Sequence, residues 1–208
     1  MIQKKINAIG IDFDNTLINY DNLISKIVKS YGWYENVEGR DDVKKRLRAS
    51  PLGDEGWQKI QGVIYGPRIL EASLSLGVVD FLRRCKTEEI EIKIISHKTE
   101  LAVNDPTKTN LRQAALNWMA KNNFFDDLGI NKCNVLFANT IEEKIEFITK
   151  ANISIFIDDL VEVLDNPKFP IDVEAILYQP NISSITNESK KYRKYQSFGQ
   201  IEKFIFNN

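Results

Sequence analysis

Strand-like and helix-like segments alternate along most of this 208-residue chain, and the alternation restricts its fold more than any other feature. Short runs rich in Ile, Val and Phe have the composition of strands that are buried on both faces of a sheet. These runs are 6–13, 90–96, 134–138, 153–159 and, more weakly, 174–179. Between them, in 78–82, 111–119 and 141–148, apolar residues recur three and four positions apart, as on one face of a helix. The alternation predicts an α/β fold with a doubly wound parallel sheet.

The segment that follows the first predicted strand departs from this alternation. Residues 21–72 contain no clear strand but three stretches with helical periodicity, "NLISKIVKSYGWY", "DDVKKRLRAS" and "EGWQKIQGVIYG". Loops between strands and helices in such folds usually have about 2–6 residues, so this interval is too long for a simple connection. We therefore predict a helical cap insertion over 21–72 and a core formed by 1–20 and 73–208. In the tail of this core, we expect a polar loop over 181–195 before a closing amphipathic helix.

Composition and charge argue against several functional classes. The 28 basic and 29 acidic side chains give a net charge of -1, so we expect neither a nucleic acid nor a membrane as partner. No run approaches the roughly 20 apolar residues of a membrane-spanning helix, and the apolar stretch after Lys4 and Lys5 meets Asp12 too soon for a secretory signal. Cys85 and Cys133 form no redox or metal-binding pattern. We therefore expect a cytoplasmic protein with free thiols.

Polar side chains stand where the predicted strands end. Asp12 and Asp14 follow the first strand, Ser96 ends the second, and Asp158 and Asp159 end the fourth. Ligands of open parallel sheets bind beyond the carboxyl ends of the strands, so these side chains are expected to converge there. Converging carboxylates repel one another unless a divalent cation lies among them, and hard oxygen ligands suit Mg²⁺. The sequence therefore predicts a Mg²⁺ site at this edge of the sheet.

A lysine and a serine supply donors for an anionic ligand at the same edge. Lys144 lies in the first turn of a predicted helix, from which its side chain can reach the strand ends. Together with Ser96 and a metal, it favours a ligand with several anionic oxygens, and phosphate fits best. An ionised Asp12 could attack phosphorus, while a protonated Asp14 could give its proton to the departing oxygen and later take one from water. The pattern predicts phosphoryl transfer through a phosphoaspartate intermediate.

Four ordered motifs, "DFDNTL", "IISHKT", "EEK" and "FIDDL", resemble those of the haloacid dehalogenase (HAD) superfamily of hydrolases. That superfamily has an Asp-x-Asp-x-Thr first motif, a Ser or Thr ending the second strand, a downstream Lys, and an acidic pair ending the fourth strand. The resemblance covers about 1–20 and 73–180 and implies a Rossmannoid core with a cap inserted after the first motif. It also implies the phosphatase branch, because dehalogenases of this superfamily lack the acid at Asp14.

The resemblance implies a role for each acidic residue of the motifs. Asp12 would be the nucleophile and a Mg²⁺ ligand, and Asp14 would be the general acid/base with its backbone carbonyl on the metal. Asp158 would ligate the metal, and Asp159 would support it. Thr16 would support the loop of the first motif and lie near the phosphate.

Five further residues are candidates for contacting the substrate or its phosphate. By the same resemblance, Ser96 would bind the phosphoryl oxygens, and Lys144 would neutralise both the nucleophile and the phosphate. His97 and Lys98 extend the second motif directly after Ser96, and Asn15 lies inside the first motif. We therefore expect these side chains to lie close to a bound substrate.

We predict a phosphoric monoester hydrolase, a Mg²⁺-dependent phosphatase whose partner is a small phosphorylated metabolite. The short interval from Lys144 to Asp158 is similar to that of some nucleotidases, so a 5'-nucleotidase is an alternative, as is a sugar-phosphate phosphatase or phosphomutase. The same interval leaves Lys98 and Lys132 as alternatives for the motif lysine. The non-enzymatic alternative is a binding module of this fold without turnover, which the full set of catalytic residues disfavours.

Overall fold

The structure is a computed structural model that describes residues 6–102, 108–180 and 191–207. Its strands are β1 (Ala8–Ile11), β2 (Ile18–Asn19), β3 (Ser73–Leu74), β4 (Glu91–His97), β5 (Val135–Ala138), β6 (Ile155–Asp158), β7 (Glu174–Tyr178) and β8 (Tyr192–Tyr195). Its α-helices are α1 (Asp21–Ser30), α2 (Gly39–Arg48), α3 (Gly53–Tyr65), α4 (Val78–Thr87), α5 (Leu111–Lys121), α6 (Ile141–Lys150), α7 (Val161–Leu164) and α8 (Phe198–Phe206). Within these described ranges, no helix is long and apolar enough to cross a membrane.

The chain divides into two compact units. The first unit comprises Met1–Leu17, Leu74–His97 and Phe124–Asn208, and the second comprises Ile18–Ser73 and Lys98–Asn123. The short strands β2 and β3 lie where the chain leaves the first unit and where it returns. All the acidic residues of the predicted motifs lie in the first unit.

A six-stranded parallel sheet in the order β5-β4-β1-β6-β7-β8 forms the centre of the first unit. Leu177 on β7 belongs to an apolar cluster with Ile145 and Ile148 of α6. The next residue, Tyr178, packs instead against Phe198 of α8, with ring centroids 5.0 Å apart. Successive side chains of a strand point to opposite faces, so α6 and α8 cover opposite faces of the sheet. The predicted α/β fold with a doubly wound parallel sheet is confirmed.

The predicted polar loop over 181–195 is wrong for its last residues. Tyr192–Tyr195 form the edge strand β8, which pairs in parallel with β7. Arg193 of this strand forms an ion pair with Glu174 of β7, with Nε and Oε1 2.5 Å apart. An edge strand can keep charged side chains in water, so β8 lacks the apolar run that marks the buried strands. Residues 181–190 lie outside the described part of the chain.

The second unit groups the three predicted cap helices, found as α1, α2 and α3, with α5. The buried indole of Trp118 on α5 donates from Nε1 to the carbonyl oxygen of Ala72, at 3.0 Å. Lys121 Nζ on the same helix donates to the carbonyl oxygen of Leu70, at 2.7 Å. The bounds predicted from the sequence, a cap over 21–72 and a core over 1–20 and 73–208, assigned 98–123 to the core, whereas this division groups 98–123 with the predicted cap helices.

Candidate active site

Asp12 lies at the carboxyl end of the central strand β1, whose four residues are all buried. Its backbone N–H donates to the carbonyl oxygen of Ile157, at 2.8 Å, so strand geometry continues one residue beyond β1. The Asp12 side chain is buried as well. The chain then turns sharply, because Asn15 adopts the left-handed conformation with φ 61°, which asparagine tolerates better than most residues. The apolar strand therefore delivers a buried carboxylate to the edge of the sheet.

Lys144 reaches Asp12 from the first turn of α6. This helix begins after Thr140, whose Oγ1 accepts a hydrogen bond from the backbone N–H of Glu143, at 3.1 Å. Lys144 is completely buried, and its Nζ lies 2.6 Å from Asp12 Oδ1 and 2.7 Å from Asp158 Oδ2. A buried ammonium group is tolerable only when it is paired with opposite charge, which the two carboxylates provide.

Burial and the charge of Lys144 shift the pKa of Asp12 in opposite directions, and burial and nearby carboxylates do the same for Lys144. Burial raises the pKa of Asp12 above its ordinary value, and the ammonium group of Lys144 opposes that rise, while the carboxylates of Asp158 and Asp159 add to it. Burial alone would lower the pKa of Lys144, but Asp12 and Asp158 together raise it above the usual value for lysine. Lys144 therefore stays protonated, and an extra positive charge beside these carboxylates would favour the ionised form of Asp12.

Asp12, Asp158 and Asp159 form an acidic cluster whose ligand oxygens, one from each residue, all lie within 4.8 Å of one another. Asp158 is held in place because its Oδ1 accepts a hydrogen bond from the backbone N–H of Leu160, at 3.0 Å. The combined negative charge of three carboxylates exceeds the single positive charge of Lys144. Hard oxygen donors of this kind fit a divalent cation such as Mg²⁺. Within the described residues, the side chain of Asp14 is not a member of this cluster.

Two buried hydroxyl groups of the predicted motifs find no hydrogen-bond partner within the described ranges. They are Ser96 Oγ and Thr16 Oγ1, both on residues almost completely shielded from solvent. Ser96 is two residues beyond Ile94, which pairs with Ile11 of β1, so it lies at the same edge as Asp12. Buried polar groups are nearly always hydrogen-bonded. The Ser96 hydroxyl is therefore available to a ligand oxygen.

The remaining candidates lie in varied surroundings. His97 is exposed at the end of β4, with Nε2 3.0 Å from the carbonyl oxygen of Asn139. Lys98 belongs to the second unit, where it is buried with Nζ 4.7 Å from the ring centroid of Tyr65. Lys132 is exposed directly before β5, at the amino ends of the strands. Lys132 and Lys144 both belong to the first unit. Of these two lysines, it is Lys144 that contacts Asp12.

Sequence reasoning missed the contacts of Asn139 and Glu143. Glu143 Oε2 accepts hydrogen bonds from the backbone N–H of Asn139, at 2.6 Å, and from its side-chain Nδ2, at 3.0 Å. The spacing of Thr140 and Glu143 matches the capping box, in which a Ser or Thr is followed three residues later by Glu or Gln. That signal in "NTIEE" could have indicated a polar contact of Glu143 at the start of α6.

No protein-family model and no curated protein matches the sequence. Solved structures, in contrast, match the fold of this chain. A HAD-superfamily hydrolase from Ehrlichia chaffeensis is 18% identical, with a TM-score of 0.53, covering 99% of this chain and 98% of that chain. A HAD family hydrolase from Deinococcus radiodurans R1, with bound phosphate and sodium, is 11% identical, with a TM-score of 0.59 and coverages of 99% and 97%. A dehalogenase is 13% identical, with a TM-score of 0.56 and full coverage of both chains at 100%. The chain thus has the HAD fold that its motifs implied.

Proposed function

We propose that this HAD-fold chain is a Mg²⁺-dependent phosphatase that hydrolyses a small phosphorylated metabolite through a phosphoaspartate intermediate on Asp12. The observation that carries this proposal is the buried group of Asp12, Lys144 and Asp158, in which one ammonium contacts two carboxylates. Burying three charged groups together is costly, so a site that retains them is a candidate for catalysis rather than for stability alone. The phosphate bound to the HAD family hydrolase from Deinococcus radiodurans supports a phosphate ligand for this fold.

In the proposed reaction, a carboxylate oxygen of Asp12 forms a bond to phosphorus while the bond from phosphorus to the leaving oxygen breaks. Asp14 gives its proton to that leaving oxygen. Asp14 then removes a proton from a water molecule, which attacks phosphorus, and the bond to Asp12 breaks to release inorganic phosphate. The presence of an acid at Asp14 favours phosphoryl transfer over dehalogenation, since carbon–halogen cleavage needs no proton for its leaving group.

Other residues hold the phosphoryl group during this reaction. Lys144 places a positive charge beside Asp12, and the unpartnered hydroxyl of Ser96 donates to a phosphoryl oxygen. Asp12, Asp158 and the backbone carbonyl of Asp14 would hold Mg²⁺, supported by Asp159. When bound, the metal supplies positive charge that offsets the charge on the phosphoryl oxygens.

Hydrolysis of p-nitrophenyl phosphate by purified protein tests the proposal. We expect turnover with Mg²⁺ and none with EDTA, and a loss of roughly 10³-fold or more in kcat for Asp12→Asn, because the amide is not a nucleophile. Asp172→Asn, a change of the same kind at an exposed position, serves as the matched control and should retain wild-type turnover. Circular dichroism spectra establish that each variant is folded. Equal turnover by wild type and Asp12→Asn would contradict the proposal.

A further inference from the structure

His97 contacts the turn that precedes α6. Its Nε2 lies 3.0 Å from the carbonyl oxygen of Asn139. A carbonyl oxygen can only accept, so Nε2 carries the proton and donates it. Asn139 stands one residue before Thr140, the N-cap of α6, and its carbonyl therefore lies outside the hydrogen bonds of that helix. The contact ties the end of β4 to the start of α6.

Glu143 ties the same turn to the helix itself. Its Oε2 accepts from both the backbone N–H and the side-chain Nδ2 of Asn139, so the carboxylate holds this residue at two points. Hydrogen bonds to an ionised carboxylate are about twice as strong as neutral ones. His97, Asn139 and Glu143 therefore form one network, which joins a strand, a turn and the first turn of a helix.

Lys144 directly follows Glu143 on this helical turn. Its backbone N–H donates to the carbonyl oxygen of Thr140, at 3.0 Å, and its side chain reaches Asp12 and Asp158. A shift of the first turn of α6 would carry the Lys144 backbone with it. Such a shift would lengthen the two short contacts of its ammonium group.

We propose that His97 and Glu143 are positioning residues, which hold the first turn of α6 through Asn139 and so keep Lys144 between its two carboxylates. This gives the exposed histidine of the second motif a role through Asn139 rather than through the substrate. The kinetic part of the inference rests on the proposed phosphatase function, whereas its structural part does not.

Kinetics of four variants on p-nitrophenyl phosphate with Mg²⁺ test this role. His97→Ala and Glu143→Ala should lower kcat by on the order of 10- to 100-fold, the cost of misplacing a catalytic group slightly, with a smaller change in KM. His97→Gln should restore most of the kcat, because its amide can donate to the same carbonyl oxygen. Glu142→Ala is the matched control, since it removes a charge from the same helical turn but leaves the contacts of Asn139 intact.

Amide hydrogen exchange of the protein without substrate gives a readout that does not depend on turnover. We expect the amide of Lys144 to exchange about fivefold faster in His97→Ala and Glu143→Ala, the factor that one net hydrogen bond contributes. Glu142→Ala should exchange like the wild type.

Three results would overturn the positioning role of His97 and Glu143. Unchanged exchange in His97→Ala overturns it, and so does faster exchange with wild-type kcat. A loss of kcat that His97→Gln does not restore also overturns it, because the imidazole would then act on the substrate. If the wild type turns over no phosphoester, the proposed phosphatase function fails, and the exchange rates alone decide whether the network holds α6.

Discussion

Replacing Lys144 with methionine should destabilise the protein far more than the loss of an ordinary lysine. Lys144 is completely buried, and its Nζ lies 2.6 Å from Asp12 Oδ1 and 2.7 Å from Asp158 Oδ2. Methionine fills much of the same volume, so the main change is that two buried carboxylates lose their cation. Removing one partner of a buried ion pair typically costs about 3–5 kcal/mol. We expect the free energy of unfolding to fall by that amount.

Lys150→Met provides a matched control on the same helix. Lys150 Nζ lies 3.3 Å from Glu146 Oε2, but both side chains are exposed to solvent. Exposed pairs with this helical spacing contribute about 0.3–0.5 kcal/mol, so this variant should unfold nearly like the wild type. Both substitutions remove one lysine from α6, and the comparison therefore isolates the effect of the buried contacts.

Urea unfolding followed by circular dichroism measures the difference. The buffer should contain EDTA, because a bound divalent cation would replace part of the missing positive charge. Midpoints are compared at equal slope, which separates a change in stability from a change in the unfolded state. If Lys144→Met and Lys150→Met lost the same stability to within about 1 kcal/mol, the description of Lys144 as the cation that two buried carboxylates require would be wrong.

Two other variants probe the surroundings of the cluster. Ser96→Ala should leave the free energy of unfolding unchanged or raise it, because the buried hydroxyl has no partner in the described structure. The same variant should have a lower kcat/KM on a phosphoester. A clear loss of stability in urea would show that Ser96 Oγ bonds to the protein. Gly10→Ala should cost about 1–3 kcal/mol, because a methyl group there would lie 2.5 Å from Ile153 Cδ1 and 2.6 Å from Phe156 Cδ2; a wild-type melting temperature would contradict this.

The central strands and the motif residues at their ends could be predicted from the sequence. The run 6–13 is largely apolar up to Ile11, and the carboxylates of Asp12 and Asp14 stand at its end, so both the strand and the converging polar groups left a signal. The structure places Lys144, in the first turn of α6, between Asp12 and Asp158.

Other features left weaker signals. The edge strand β8 has the sequence "YRKY". Because one edge of such a strand lies open to solvent, it can carry charged residues, and it then lacks the apolar run by which a strand is predicted. The packing of Trp118 on Ala72 depends on which neighbour covers a helix face, which periodicity does not encode. The contact from His97 to Asn139 joins a strand end to a turn, and no motif or periodic pattern in the sequence marks it.

Asp12 should carry the phosphoryl group during turnover, and trapping the phosphorylated Asp12 tests this most directly. Asp14→Asn should slow the second step, in which Asp14 activates water, but p-nitrophenolate leaves without a proton, so the first step should still proceed. Acid quenching during turnover with Mg²⁺, followed by peptide mass spectrometry, should show one added HPO₃ on the peptide that contains Asp12. Release of p-nitrophenolate by this variant without any phosphorylated Asp12 peptide would contradict the account.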